Sequence, residues 1–131
     1  MIVADTSALI AILRREPEAD DFLRIIVRSG SCLVLSVSVM EASMVLAGRD
    51  GDDTSWLGLD QLIARAGIDV VAQDRLLTGI ARDAFLRFGK GRHPAGLNMG
   101  DCASYALAQS RGLPLLFKGN DFSKTDVVAA A

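Results

Sequence analysis

Along the chain, short solid runs of apolar residues alternate with longer stretches in which apolar positions recur every three or four residues. MIVA at 1–4 is such a run, ends on one acid, Asp5, and passes at once into TSALIAIL. This pattern predicts a buried strand entering a helix, with Thr6 or Ser7 near the N-cap and Asp5 at the carboxyl end of the strand. From Glu16 to Val27, Phe22, Leu23, Ile26 and Val27 form one face, and Glu18, Asp20, Asp21 and Arg24 point away from it. That is an amphipathic surface helix. CLVLS at 32–36 reads as a second strand, and VSVMEASMVLAG after it as a helix, apolar nearly all round, with one charge, Glu41.

The polar stretch RDGDDTS at 49–55 predicts a loop, with Asp53 or Thr54 capping a helix whose apolar face holds Trp56, Leu57, Leu59, Leu62 and Ile63. Trp56 is expected in the core or at an interface. Gly67 ends that helix, and IDVVA at 68–72 makes a third strand. The longest helix is expected from Gln73 or Asp74 to Phe88, on a stripe of Leu76, Leu77, Ile80, Ala81, Ala84, Phe85 and Phe88. FGKGRHPAGLNMGD follows as a loop with four glycines and a positive local charge, leading to a small-residue helix beginning at Asp101. LPLLFK at 113–118 is the fourth strand, GNDF turns the chain, and DVVA at 126–129 could add a short edge strand.

Strands alternating with helices argue for an α/β fold with a mostly parallel sheet of four to five strands covered on both faces. At 131 residues and 50% hydrophobic, the chain is expected to be one domain with a substantial core. Its mean hydropathy of +0.31 is high for a small soluble protein and points to an apolar face that a subunit or partner covers. No run approaches the roughly 18 apolar residues of a membrane span, and no secretory signal stands at the N-terminus. A cytoplasmic protein without membrane attachment is expected. Cys32 and Cys102, without a CxxC or Cys/His pattern, are expected to be small buried core residues. A net charge of -2 and a pI near 5.3 carry no basic footprint for nucleic acid. A cluster of acids lowers the pI, however, while basic residues still gather locally.

The acids carry the chemistry. Asp5 follows the first strand, Glu41 lies early in the helix after the second, Asp101 opens the helix before the fourth, and Asp121 follows that strand. In a parallel sheet all four can project at the carboxyl edge, where ligands bind in open α/β folds. Four crowded carboxylates repel one another unless cations are present. The oxygen-only donor set suits Mg²⁺ or Mn²⁺, and His93, the single histidine, excludes a zinc set. Two such ions about 3.5–4 Å apart would stabilise the attacking and leaving oxygens of a phosphoryl displacement; one would still activate water. Lys90, Arg92, His93 and Lys118 flank these acids and could hold a nucleic-acid backbone.

The segments VADTSAL, SVSVMEAS, FGKGRHPAGLNMGDCASYALA and LLFKGNDFSKTDV resemble the PIN-domain nucleases, and more closely the VapC toxins of type II toxin–antitoxin modules. The resemblance runs from Met1 to about Val127. It implies a single PIN-like, three-layer α/β/α domain and an endoribonuclease dependent on Mg²⁺ or Mn²⁺. By motif, Asp5 and Asp101 are implied as principal metal ligands, Glu41 as a ligand directly or through water, and Asp121 as the fourth, more variable acid. Thr6 or Ser7 would hold the first acid, while Asn98 and Gly100 shape the last motif, a side chain at position 100 crowding the backbone beside Asp101. No departure removes a catalytic acid. The resemblance also implies a homodimer, a VapB-like antitoxin whose C-terminal segment lies across the active site, and a heterotetramer or larger assembly with it. A catalytically silent PIN-like module that binds RNA or protein is the alternative. A haloacid-dehalogenase-like phosphatase would need an acid where Ser7 stands, a receiver domain an acid at Ala4, and an NTPase a GxxxxGK[ST] loop that is lacking.

Overall fold

Strand β1 (Ile2–Ala4) lies at the centre of the molecule, because neither of its faces can meet water. In the computed structural model, which describes residues 1–50 and 55–131, β1 pairs in parallel with β2 (Cys32–Leu35) on one side and β4 (Leu115–Leu116) on the other. β3 (Ile68–Val71) pairs in parallel with β2, giving the order β3-β2-β1-β4. In the register Ile2 stands opposite Cys32, Val3 opposite both Leu33 and Leu115, and Ala4 opposite Leu116.

Side chains alternate across a strand, and here they divide into two cores. Ile2, Ala4, Cys32, Val34, Ile68 and Leu116 face one cluster, while Val3, Leu33, Leu35 and Leu115 face the other. The first is covered by α1 (Thr6–Leu13), α2 (Ala19–Arg28), α3 (Ser36–Asp50) and α4 (Ser55–Arg65), and the second by α5 (Arg75–Phe88) and α6 (Met99–Arg111). The result is a three-layer α/β/α fold with a four-stranded parallel sheet and six helices among the described residues. Burial on both faces is why β1 and β2 read as solid apolar runs rather than alternating ones. No helix among the described residues is long and apolar enough to cross a membrane. Both cysteines are buried and free, as expected.

Several boundaries differ from the sequence reading, each for a local reason. Asp5 itself caps α1, its carboxylate accepting from the Ser7 N–H, so the cap lies one residue before Thr6. The longest helix is α3, of 15 residues, which continues through Arg49 and Asp50 where a loop was expected. The expected caps Asp53 and Thr54 lie outside the described residues. Helix α6 starts at Met99 under an Asn98 cap, which puts Asp101 at its third position. β4 is shorter than 113–118, since Pro114 contributes only its carbonyl, which accepts from the Val3 N–H at 2.9 Å. The expected edge strand at 126–129 is a single bridge of Ala129 to Leu115. Trp56 is 41% exposed, its indole N–H donating to the Ser43 carbonyl at 2.7 Å.

Helix α6 buries Gly100 and every residue from Cys102 to Ala108, and it anchors the tail of the chain. The buried Tyr105 hydroxyl donates to Asp126 Oδ1 at 2.5 Å, and this bond holds the Asp126 carboxyl below its ordinary value. A depressed carboxylate pKa contributes stability above the unfolded value, 3.8, and loses it as pH falls. Tyr105→Phe is therefore expected to cost about 1 kcal/mol in urea unfolding at pH 7. The deficit should shrink below pH 4, whereas Tyr105→Ala, which also opens a cavity, should cost about 3–5 kcal/mol at both.

Candidate active site at the carboxyl edge of the sheet

Three elements converge where β1 ends. Asp5 leaves β1 with only 3% of its surface exposed, and every contact of its carboxylate comes from a neighbouring element or its own helix cap. Oδ2 accepts from the Ser7 N–H at 3.0 Å and the Ser7 hydroxyl at 2.6 Å, and Oδ1 accepts from the Ser104 hydroxyl at 2.5 Å. The Ser7 oxygen in turn accepts the Lys118 N–H at 3.0 Å, linking the first acid to the chain leaving β4. Thr6 does not touch Asp5 through its hydroxyl, which donates to the Ser38 carbonyl at 3.1 Å.

Asp101 is fixed by a capping box. Asn98 Oδ1 accepts the Asp101 N–H at 2.9 Å, and Asp101 Oδ2 accepts the Asn98 N–H at 3.1 Å. Such reciprocal bonds satisfy two donors that a helix start leaves free. Burial pushes the Asp101 carboxyl up to about 6, and the charges of Asp5, Asp121 and Glu41 add to the rise, against the lowering effect of the Asn98 bond. The other three predicted acids are thus near enough to act on Asp101. Glu41, in the second turn of α3, lies against Gly100: a Cβ at position 100 would overlap the Glu41 carboxylate. Glycine at position 100 thus leaves open the space that the Glu41 carboxylate occupies. Asp121 is exposed, follows β4, and leads into a 3-10 turn at Phe122–Lys124 without capping it through its side chain.

The donor set is hard oxygen throughout, and burial together with the charges of the other three acids raises the Asp101 carboxyl. Both features fit a divalent cation of the Mg²⁺ type. Among the described residues no three carboxylate, imidazole or thiol groups already close into a metal cage. Proteins often hold Mg²⁺ by one or two carboxylates and several waters, so a looser cluster suffices.

The basic residues are placed differently from one another. Lys90 and Arg92 are exposed on the loop before α6. His93 is half-buried: its Nδ1 accepts the Ala95 N–H at 3.0 Å and its ring meets Phe88 edge-on at 5.1 Å, so it braces the loop. The Lys118 ammonium is paired with Glu16 and with Glu18, the latter at 3.2 Å, and points to the α1–α2 turn.

The chain matches the PIN domain model over residues 2–128. It is 43% identical to Ribonuclease VapC30 of Mycobacterium tuberculosis over 130 residues, 99% of this chain and 98% of that protein. It is 44% identical to Ribonuclease VapC of Mycolicibacterium smegmatis over 128 residues, 98% of each. This chain belongs to the PIN-domain family of VapC ribonucleases. Its fold is shared with M. tuberculosis VapC20, described as a sarcin–ricin-loop-cleaving toxin, at a TM-score of 0.76 and 16% identity, covering 98% of this chain and 97% of that one. A toxin–antitoxin complex from Klebsiella pneumoniae superposes with a TM-score of 0.70 at 18% identity, covering 100% and 98%.

In this VapC-family chain the residues that the sequence reading missed are Ser38 and Ser104. Ser104 follows Asp101 by one helical turn, the spacing that puts two side chains on one face. That spacing was the only available signal. The raised Asp101 pKa also sets a pH dependence. A carboxyl whose folded pKa exceeds its unfolded value costs nothing below the latter and its full penalty above the former. The metal-free protein should therefore lose stability from this group between pH 3.8 and about 6. Asp101→Asn is expected to raise the melting temperature of the metal-free protein at pH 7 and to leave it unchanged at pH 3.5. An equal shift at both values would mean that charge is not the cause.

Proposed function

We propose that this chain is the toxin ribonuclease of a type II toxin–antitoxin module, an endoribonuclease that hydrolyses RNA phosphodiester bonds with Mg²⁺ or Mn²⁺ at Asp5, Glu41, Asp101 and Asp121. The observation that carries the reading is the convergence on Asp101: burial raises its carboxyl, and three further carboxylates on three other segments add to the rise, an arrangement that a bound cation relieves. The family's ribonuclease names agree with it. Asp5, Asp101 and Glu41 would hold the ion, with Asp121 at the open side. When bound, such an ion supplies activated water and neutralises charge on the phosphate.

The chain's own residues do the positioning. Ser7 and Ser104 hold the Asp5 carboxylate from both oxygens, Asn98 pins Asp101, and Gly100 leaves the space into which Glu41 reaches. Lys90 and Arg92 are exposed on the loop before α6 where they would contact the RNA backbone, Arg92 while its Nε–H donates to the Leu86 carbonyl at 3.3 Å. Lys118, engaged by two glutamates, is the weaker candidate.

The proposed partners are a VapB-like antitoxin and a second copy of the chain, as a homodimer that assembles into a heterotetramer or larger complex. A basic antitoxin side chain, such as arginine, would pair with the acids in place of cation and RNA. For the second copy, the outer stripe of α5 has the right symmetry. Arg75, Leu76, Gly79, Asp83 and Leu86 line one groove there, with Leu76 and Leu86 well exposed. A two-fold axis through Gly79 sets each Arg75 opposite the partner's Asp83, and Gly79 has nothing within 4 Å of a Cβ position to explain a helix glycine otherwise.

Purified protein is expected to cut total RNA into discrete fragments with Mg²⁺ or Mn²⁺, and EDTA should stop it. Asp5→Asn and Glu41→Gln should each lower the rate roughly 100-fold or more, beyond the 10–100-fold typical of groups that only support a ligand. Mn²⁺ should raise the wild-type melting temperature saturably, as mass action requires. Intact RNA together with no Mn²⁺ response would instead support a catalytically silent module. By light scattering, Arg75→Asp should dissociate the dimer, and adding Asp83→Arg should restore it. A dimer indifferent to both would place the interface elsewhere.

A further inference from the structure

Two serines sit with no exposure beside the acids, in surroundings that are otherwise apolar. Ser104, on α6, donates to Asp5 Oδ1, and Ser38, in the first turn of α3, has its Oγ 3.2 Å from Ser104 Oγ. A serine hydroxyl carries one proton. Since Ser104 directs its proton to Asp5, Ser38 must be the donor in the serine pair, and the chain of bonds runs Ser38 to Ser104 to Asp5. The Ser38 carbonyl also accepts from the Thr6 hydroxyl, so the residue next to Asp5 is tied to the same serine. This closes a ring through the β1–α1 junction, α3 and α6, which carry Asp5, Glu41 and Asp101.

The bonds on Asp5 can be counted. A carboxylate offers about four lone-pair directions. Ser7 fills the two on Oδ2 and Ser104 fills one on Oδ1, which leaves one on Oδ1. Alanine at position 104 would suit the helix DCASYALA and an apolar core, without a polar group to bury. The hydroxyl is there for what it holds.

We propose that Ser104, backed by Ser38, is a positioning residue that fixes which lone pair of Asp5 faces a divalent cation. The inference rests on the metal-dependent reading above and adds to it a buried relay outside the four acids. Ser104 touches neither RNA nor cation; it acts by restricting Asp5.

Calorimetric titration of Mn²⁺ into the full chain tests this, alongside metal-free melting curves. Ser104→Ala is expected to weaken Mn²⁺ binding about tenfold, the scale of lost support to a metal ligand, and Ser38→Ala to weaken it less. The double variant should bind no more weakly than Ser104→Ala, because Ser38 acts through Ser104. Ser43→Ala, which removes a hydroxyl that donates to the Val39 carbonyl within α3, should bind as wild type does. In RNA cleavage, Ser104→Ala should need about tenfold more Mn²⁺ for half-maximal rate while reaching a similar rate at saturation. A merely structural serine would lower the melting temperature and leave the Mn²⁺ affinity alone; that result, or additive losses in the double variant, would overturn the proposal. If the wild type binds Mn²⁺ and Ser104→Ala binds it equally, only the relay fails. If the wild type binds no Mn²⁺, the metal-dependent reading fails with it.

Discussion

Carboxylates gathered at one place repel, and this protein keeps Asp5, Asp121 and Glu41 close enough to Asp101 to add to the rise that burial gives its carboxyl. The free energy that holds them together comes from elsewhere. Each acid arrives on a different segment, at the end of β1, in α3, in α6 and after β4, and each segment is fixed by apolar packing below the site. Burial on both faces of β1 and β2 leaves the sheet no freedom to spread the acids apart. The cost of their repulsion is set against the rigidity of two cores, and it is relieved whenever positive charge enters.

Within that frame, hydrogen bonds decide orientation. Asp5 and Asp101 are both helix-start residues, one an N-cap and one the partner in a capping box. The same groups that satisfy free backbone N–H donors therefore hold the two acids. Glu41 lacks such a cap, and its carboxylate lies in the space that glycine at position 100 leaves open. Lys118 shows how packing redirects charge: its backbone N–H joins the site through Ser7, while its ammonium turns to Glu16 and Glu18.

Much of this was legible in the linear pattern. Strand and helix periods gave the alternating order, and the acid after each apolar run gave the candidate edge. The solid run at Ile2–Ala4 already implied a strand buried on both faces. Less legible were the ends of elements. Thr6 and Ser7 are good caps, yet Asp5 takes the role, and Asn98 rather than Asp101 opens α6. The α5 apolar positions read as one stripe, but Leu77, Ala84 and Phe88 are buried while Leu76 and Phe85 are exposed, because α5 packs chiefly against α6, which covers only part of a stripe seven positions wide.

Local sequence therefore determined which residues are acids, which elements carry them and how many layers those elements form, since period and capping depend on neighbours a few residues apart. It could not determine that Ser104 meets Asp5, 99 positions away, or that the Glu41 carboxylate lies against Gly100. Those contacts depend on how α3 and α6 are rotated against β1, which the packing of side chains from both cores sets. Tertiary structure decided them because a hydroxyl in a helix becomes a support for a carboxylate only when another part of the chain brings that carboxylate to it.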